Sequence, residues 1–161
     1  MLNTDIVPYT VFVIKPLSVG RGDGPEILEE LLEKGNLVLH KIRPWDVCNN
    51  TWHALWDISQ DTESEFEWVD RFTRTTFRKC WVLLLTHKDK ITDPTDFLNE
   101  YCGPVDKIMK WKKHHLRYKY SSFAIQGLLM SKYDDVVYIS PKGKQKLIAD
   151  LLFTKFDEKD I

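Results

Sequence analysis

Long apolar runs are missing from this chain: no stretch approaches the roughly 18 consecutive apolar residues of a membrane-spanning helix. The N-terminus lacks the basic, apolar and small-residue regions of a secretory leader, so the reading is a soluble, cytoplasmic protein with no membrane partner. Cysteine is scarce. The three present, Cys48, Cys80 and Cys102, have no CxxC spacing. An odd, scattered set argues for buried thiols in a reducing compartment over disulfides or zinc. An excess of either charge is absent too: 23 Lys and Arg against 24 Asp and Glu leave a formal net charge of −1, which hides a local asymmetry. Two phosphate-binding signatures are also lacking. No Gly-Lys-Ser/Thr follows a four-residue spacer, and Gly20, Gly22 and Gly24 do not give G-x-G-x-x-G at a strand-to-helix turn.

Apolar and aromatic residues are plentiful in the 161-residue chain: 43% is hydrophobic, with six tryptophans, six tyrosines and eight phenylalanines. That suffices for one domain, residues 1–161, with its core at 9–153 and short tails. A β-rich run at residues 9–15 ends at Lys15-Pro16, since proline cannot donate to a sheet ladder. A glycine-rich turn leads to a helix at 26–34. Ile27, Leu28, Leu31 and Leu32 fall on one face, and Glu29, Glu30 and Glu33 fall mostly on the other, solvated one. Gly35-Asn36 stops it.

Residues 37–43 alternate as a second strand. Pro44-Trp45-Asp46 turns, and Trp52, Leu55 and Trp56 mark a helix through residue 57. After a polar linker at 58–64 comes a short helix at 65–73. Residues 80–86 are the clearest buried strand; a helix starts at 92–94 and ends near 101, and 103–120 is irregular and basic. A fourth strand at 136–140, a last helix from Pro141 to about 153 and a charged tail at 156–161 complete the order. That order predicts an α+β, ferredoxin-like βαββαβ fold, a four-stranded antiparallel sheet with helices on one face.

The opening, Ile14-Lys15-Pro16 with Val19, Arg21, Gly22 and Glu26-Ile27, resembles the start of nucleoside diphosphate kinases, I-K-P-D-x-V-x-R-G-x-x-G-E-I. Leu17 stands for the aspartate and Pro25 for the last glycine. Later segments agree in order. Trp52-His53-Ala54 sits at H-Y-A, and residues 80–86 match G-P-V-V-A-M-V. Residues 98–106 resemble R-x-L-x-G-P-T-D-P, 115–120 resemble T-I/L-R-G-x-F/Y, and 135–140 align with N-x-V-H-G-S.

The resemblance implies a ping-pong kinase in which a histidine carries phosphate between nucleotides, covalent catalysis that needs an imidazole nucleophile. It keeps Lys15 and Arg117 as phosphate ligands and Ser140 from the histidine segment, and it places the base against Phe66. Asn99 falls where the second phosphate-binding arginine belongs, Val105 at the threonine and Asp135 at the asparagine. Tyr138 takes the position of the histidine and Ile139 that of the glycine after it. The glutamate that orients the histidine falls at Ala149, or at Asp150 after a slip of one residue. A phenol ionises near pH 10, and its phosphate ester is no fast phosphoryl donor. The implied chemistry is broken at its nucleophile, and His114 and His115 are the remaining candidates for a relocated one.

Lys107, Lys110, Lys112, Lys113, Arg117 and Lys119 are cations with no acid among them, interleaved with Trp111, Tyr118 and Tyr120. Such a run reads as a solvated face or as an anion-binding surface, with Lys113 a further phosphate-binding candidate. Three functions follow. The first is a binding or regulatory module, no longer a phosphohistidine kinase, that holds a nucleotide or other phosphorylated ligand. The second is a phosphotransferase using His114 or His115, with magnesium held by the nucleotide phosphates. The third is a nucleic-acid binder using residues 107–119. The resemblance also implies self-association.

Overall fold

The structure, a computed structural model, describes residues 6–46, 49–59, 78–104, 112–121 and 136–161. Its centre is β1, Tyr9–Ile14, every residue of which is buried. β2 is Leu37–Asp46, β3 Lys79–His87 and β4 Val137–Ile139. They form one sheet in the order β2-β3-β1-β4, with every neighbouring pair antiparallel. That is the expected ferredoxin-like sheet. β1 and β3 are interior strands covered on both faces, so they read as continuous apolar runs without polar alternation.

Two cores result, one per face. Tyr9, Val11 and Val13 join Cys80, Val82 and Leu84 on one side, while Phe12 and Ile14 join Leu83 and Leu85 on the other. The crossover helices, α2 (Gly24–Gly35) and α4 (Pro94–Cys102), cover the second side through Ile27, Leu31, Leu98 and Cys102. The expectation of helices on one face holds for these two. The other face is covered by α3 (Asn49–Ser59) and α6 (Gln145–Leu152), which contribute Trp52, Leu55, Ile148, Ala149 and Leu152. Apolar residues at strand positions of both parities require cover on both faces, so a one-sided layer leaves Val11 and Val82 exposed.

Several boundaries differ from the sequence reading for local reasons. The turn after Lys15 is a short helix, α1 (Pro16–Gly20), because proline at the first helical position lacks only an N–H that has no partner there. β2 runs through Pro44, which stands opposite Trp81. As the outermost strand it tolerates a missing N–H. Asn36, at φ 51°, takes the left-handed cap of α2 and donates its N–H to Leu32 O. Gly35 serves packing: a Cβ there would lie 2.5 Å from Phe97 Cε2 of α4.

The last helix starts at Gln145, after a turn closed by Lys144 N–H to Pro141 O at 3.1 Å. The expected tail docks: Tyr9 O–H donates to Glu158 at 3.0 Å, and the Phe156 ring sits 5.5 Å from that of Tyr9. Cys80 and Cys102 are buried thiols outside any disulfide, and burial pushes the Cys80 thiol up to about 12. The expected helix at 65–73 and Cys48 lie outside the described residues.

Candidate functional site

Lys15 leaves the sheet at the end of β1, with its N–H donating to Val136 O at 2.9 Å. Its backbone is still extended (φ −70°, ψ 159°), so strand alternation places it on the face of Val13. Tyr138, at the centre of β4, is the direct partner of Val13. Lys15 and Tyr138 are both buried, at 4% and 9% exposure. Two buried residues on adjacent strands thus share one face at this end of the sheet.

The surroundings of Tyr138 are apolar. Tyr138 belongs to one buried cluster with Trp52, Leu55 and Ala149. Ala149 is fully buried there, at the position that resemblance gives to an orienting glutamate. The Tyr138 hydroxyl shares a hydrogen bond with Ser59 Oγ, 2.5 Å long. A second tie lies beside it: Lys144 Nζ donates to Ile58 O at 2.8 Å, holding the end of α3 to the start of α6. Ser140 continues the ladder beyond β4, donating its N–H to Val11 O at 2.9 Å. Its Oγ accepts the Val11 N–H at 3.0 Å.

The second group of candidates gathers where α4 meets α5 (Leu116–Lys119). Arg117 is buried at 1% exposure, and its Nη1 donates to Gly103 O. Gly103, at φ 92°, is required twice over. Its conformation suits glycine, and a Cβ would stand 2.8 Å from His115 Cγ. Its N–H donates to Asn99 O at 3.1 Å, and the Asn99 side chain is exposed on α4. Lys113 and His114 are exposed as well.

His115 is not poised as a nucleophile. Its Nδ1 accepts the Lys112 N–H at 2.9 Å, which puts the ring proton of the neutral imidazole on Nε2. Burial first, then the neighbouring His114, Lys112 and Arg117, holds its pKa below the ordinary histidine range. The ring of His114 lies 4.5 Å from that of His115. His114 also lines an open cavity of about 310 Å³ with Phe97, Glu100 and Tyr101. Phe66, Asp135, Lys107, Lys110 and Trp111 lie outside the described residues.

Glu30 was missed from sequence. Expected on a solvated face of α2, it instead accepts hydrogen bonds from Tyr101 O–H, Lys119 Nζ and Tyr120 O–H, the last at 2.9 Å. Burial pushes its pKa up, but the three bonds and the Lys119 charge outweigh it and hold the carboxyl below its ordinary range. Lys119, from a run with no acid among its own residues, is therefore ion-paired to an acid of another helix. No short-range motif points to this group, because the partners lie 71, 89 and 90 residues away.

Among the described residues no three His, Cys, Asp or Glu side chains converge on a metal-sized site, and no helix is long and apolar enough to cross a membrane. No protein-family model and no curated protein matches the sequence. The fold does match solved structures. One is a nucleoside diphosphate kinase from Aquifex aeolicus, with a TM-score of 0.71, 12% identity, and coverage of 92% of this chain and 96% of that one. A halophilic nucleoside diphosphate kinase from Halobacterium salinarum, in complex with CDP, gives 0.69 at 16% identity, covering 92% of each chain. A Borrelia burgdorferi nucleoside diphosphate kinase with bound vanadate and ADP gives 0.70 at 14%, covering 91% of this chain and 87% of that one. What is shared at these identities is the fold.

Proposed function

We propose that this chain, which has the nucleoside diphosphate kinase fold, binds a nucleotide or another phosphorylated ligand through Lys15 and Arg117 and does not relay phosphate through a histidine. One observation carries the reading: Tyr138 stands opposite Val13 in a cluster with Ala149, where a phosphohistidine mechanism needs an imidazole and its carboxylate partner. Relay through histidine requires a lone pair that attacks the γ-phosphorus near neutral pH, and a leaving group good enough to release the phosphoryl group again. A phenol bonded to Ser59 and walled by Trp52, Leu55 and Ala149 supplies neither. His115 is a poor substitute, because its Nδ1 lone pair is taken by a backbone N–H.

Binding asks less of the site. A cation at the end of β1 and a buried guanidinium on α5 are the residue types that hold phosphate oxygens, the arginine with directional donors and the lysine as a point charge. Two of the neighbours sharing the fold were solved with CDP or with ADP and vanadate. Magnesium would enter with the phosphates of the ligand, since hard divalent cations are commonly held by one or two carboxylates plus substrate phosphate.

The test is incubation with γ-labelled ATP and magnesium, then a nucleoside diphosphate, alongside thermal unfolding with and without ADP. We expect no acid-labile phosphoprotein, and a rise in melting temperature with ADP that Lys15→Ala abolishes. A label that forms and passes to the diphosphate overturns the reading. Absence of any nucleotide effect on melting removes the binding half of it.

A further inference from the structure

We infer that Glu30, on α2, is the positioning residue for Arg117. It fixes the short segment that carries the guanidinium and withdraws Lys119 from the ligand's field. This rests on the proposed binding reading. α5 is four residues long, too short to hold its own shape, so the place of Arg117 depends on tertiary ties. Those ties form a closed circuit. Arg117 Nη1 donates to Gly103 O, just past the end of α4, and Tyr101 in the last turn of α4 donates its hydroxyl to Glu30. Glu30 in turn accepts from Lys119 on α5 and from Tyr120, the residue that caps it.

One carboxylate therefore joins both segments that Arg117 bridges. A second strut from the same side supports it: Arg21 Nη2 donates to Tyr120 O at 2.5 Å, from the turn between α1 and α2. Three donors on one carboxylate also specify the residue. Glutamine keeps one acceptor oxygen and loses the charge that holds Lys119, and aspartate is a methylene too short for partners on two helices.

The experiment is a double-mutant cycle read by titration calorimetry with Mg·ADP and with inorganic tripolyphosphate. Wild type, Glu30→Gln, Arg117→Lys and the double variant are compared, with amide hydrogen exchange on the unliganded proteins. Glu30→Gln alone is expected to weaken binding by about tenfold, and to have little further effect once Arg117 is lysine, because the glutamate acts through the arginine. Exchange should quicken over residues 115–121 and stay unchanged in β1 and β3. Additive losses, or an affinity that Glu30→Gln leaves within twofold of wild type, overturn the inference. A wild-type protein that binds neither probe overturns the binding reading itself. The positional claim is then decided by exchange alone: acceleration confined to 115–121 supports it, and unchanged or uniform acceleration overturns it.

Discussion

Tyr138 at the centre of β4 and Ser59 at the last position of α3 are joined by a hydrogen bond 2.5 Å long across 79 residues of chain. The bond engages the hydroxyl that would have to act if tyrosine were the nucleophile. With Lys144 holding Ile58 O, the end of α3 is fastened at two adjacent residues. The Tyr138 hydroxyl is thus engaged in a structural contact that helps hold α3.

Removing that contact should cost stability and leave the fold. Tyr138→Phe keeps the ring in its apolar cluster and deletes only the hydroxyl. The expected loss is about 1 kcal/mol, the usual net worth of an intramolecular hydrogen bond. Ser59→Ala should lose a similar amount, and the double variant about the same as either single one, because both remove one bond. Urea unfolding of the four proteins checks this, and full additivity would show that the hydroxyls act separately.

Restoring the imidazole alone should not restore chemistry. In Tyr138→His the new ring would share its cluster with Ala149, where the resemblance puts an orienting glutamate, so no carboxylate at that position stabilises the imidazolium. Labelled-phosphate transfer in Tyr138→His should stay at the level of the parent protein. Adding Ala149→Glu supplies the missing partner and should raise incorporation above the single variant, at a cost in stability from a carboxylate in a buried apolar position. Equal transfer by both variants would locate the obstacle elsewhere in the site.

Strands and site were legible in the sequence to different degrees, for a physical reason. β1 and β3 are interior and apolar on both faces, so a local run of residues suffices to show them. Ordered motifs pick out Lys15, Arg117 and Tyr138, which lie at the end of β1, on α5 and at the centre of β4; their part in a site rests on the resemblance. What escaped was long-range. The face that α3 and α6 cover is not encoded in their own amphipathic patterns. Pro44 in β2 is acceptable only because the strand turned out to be outermost. Glu30 looks like any glutamate of an acidic helix face until α4 and α5 bring two tyrosines and a lysine to it.

Acid should weaken the protein in a defined order. His115 has a folded pKa below its ordinary 6.5, so the unfolded chain binds the proton first. Its contribution is complete above about pH 6.5 and declines as pH falls through the folded value. Glu30 is also depressed, from an ordinary 4.5, so its share persists to lower pH and is lost as pH falls through its folded value. Unfolding free energy measured from pH 8 to pH 3.5 should therefore decline in two stages. His115→Gln should flatten the upper stage and Glu30→Gln the lower. A decline confined to the lower stage would contradict the placement of His115.

The basic segment should divide by function when binding is measured against salt. Lys113 is exposed, whereas Lys119 is paired with Glu30. Salt screens the attraction between an exposed cation and a bound anion, so a lysine outside the ligand's field contributes little to the fall of affinity with salt. Lys113→Gln should reduce the slope of log affinity for tripolyphosphate against log salt by up to about one, with melting temperature unchanged. Lys119→Gln should leave the slope alone and lower the melting temperature, because it strips a partner from a half-buried carboxylate that still holds two tyrosine hydroxyls. The reverse pattern would mean that Lys119 leaves Glu30 when a phosphate arrives. The ion pair would then compete with the ligand, and Glu30→Gln would tighten binding, opposite to the tenfold loss expected if it positions Arg117.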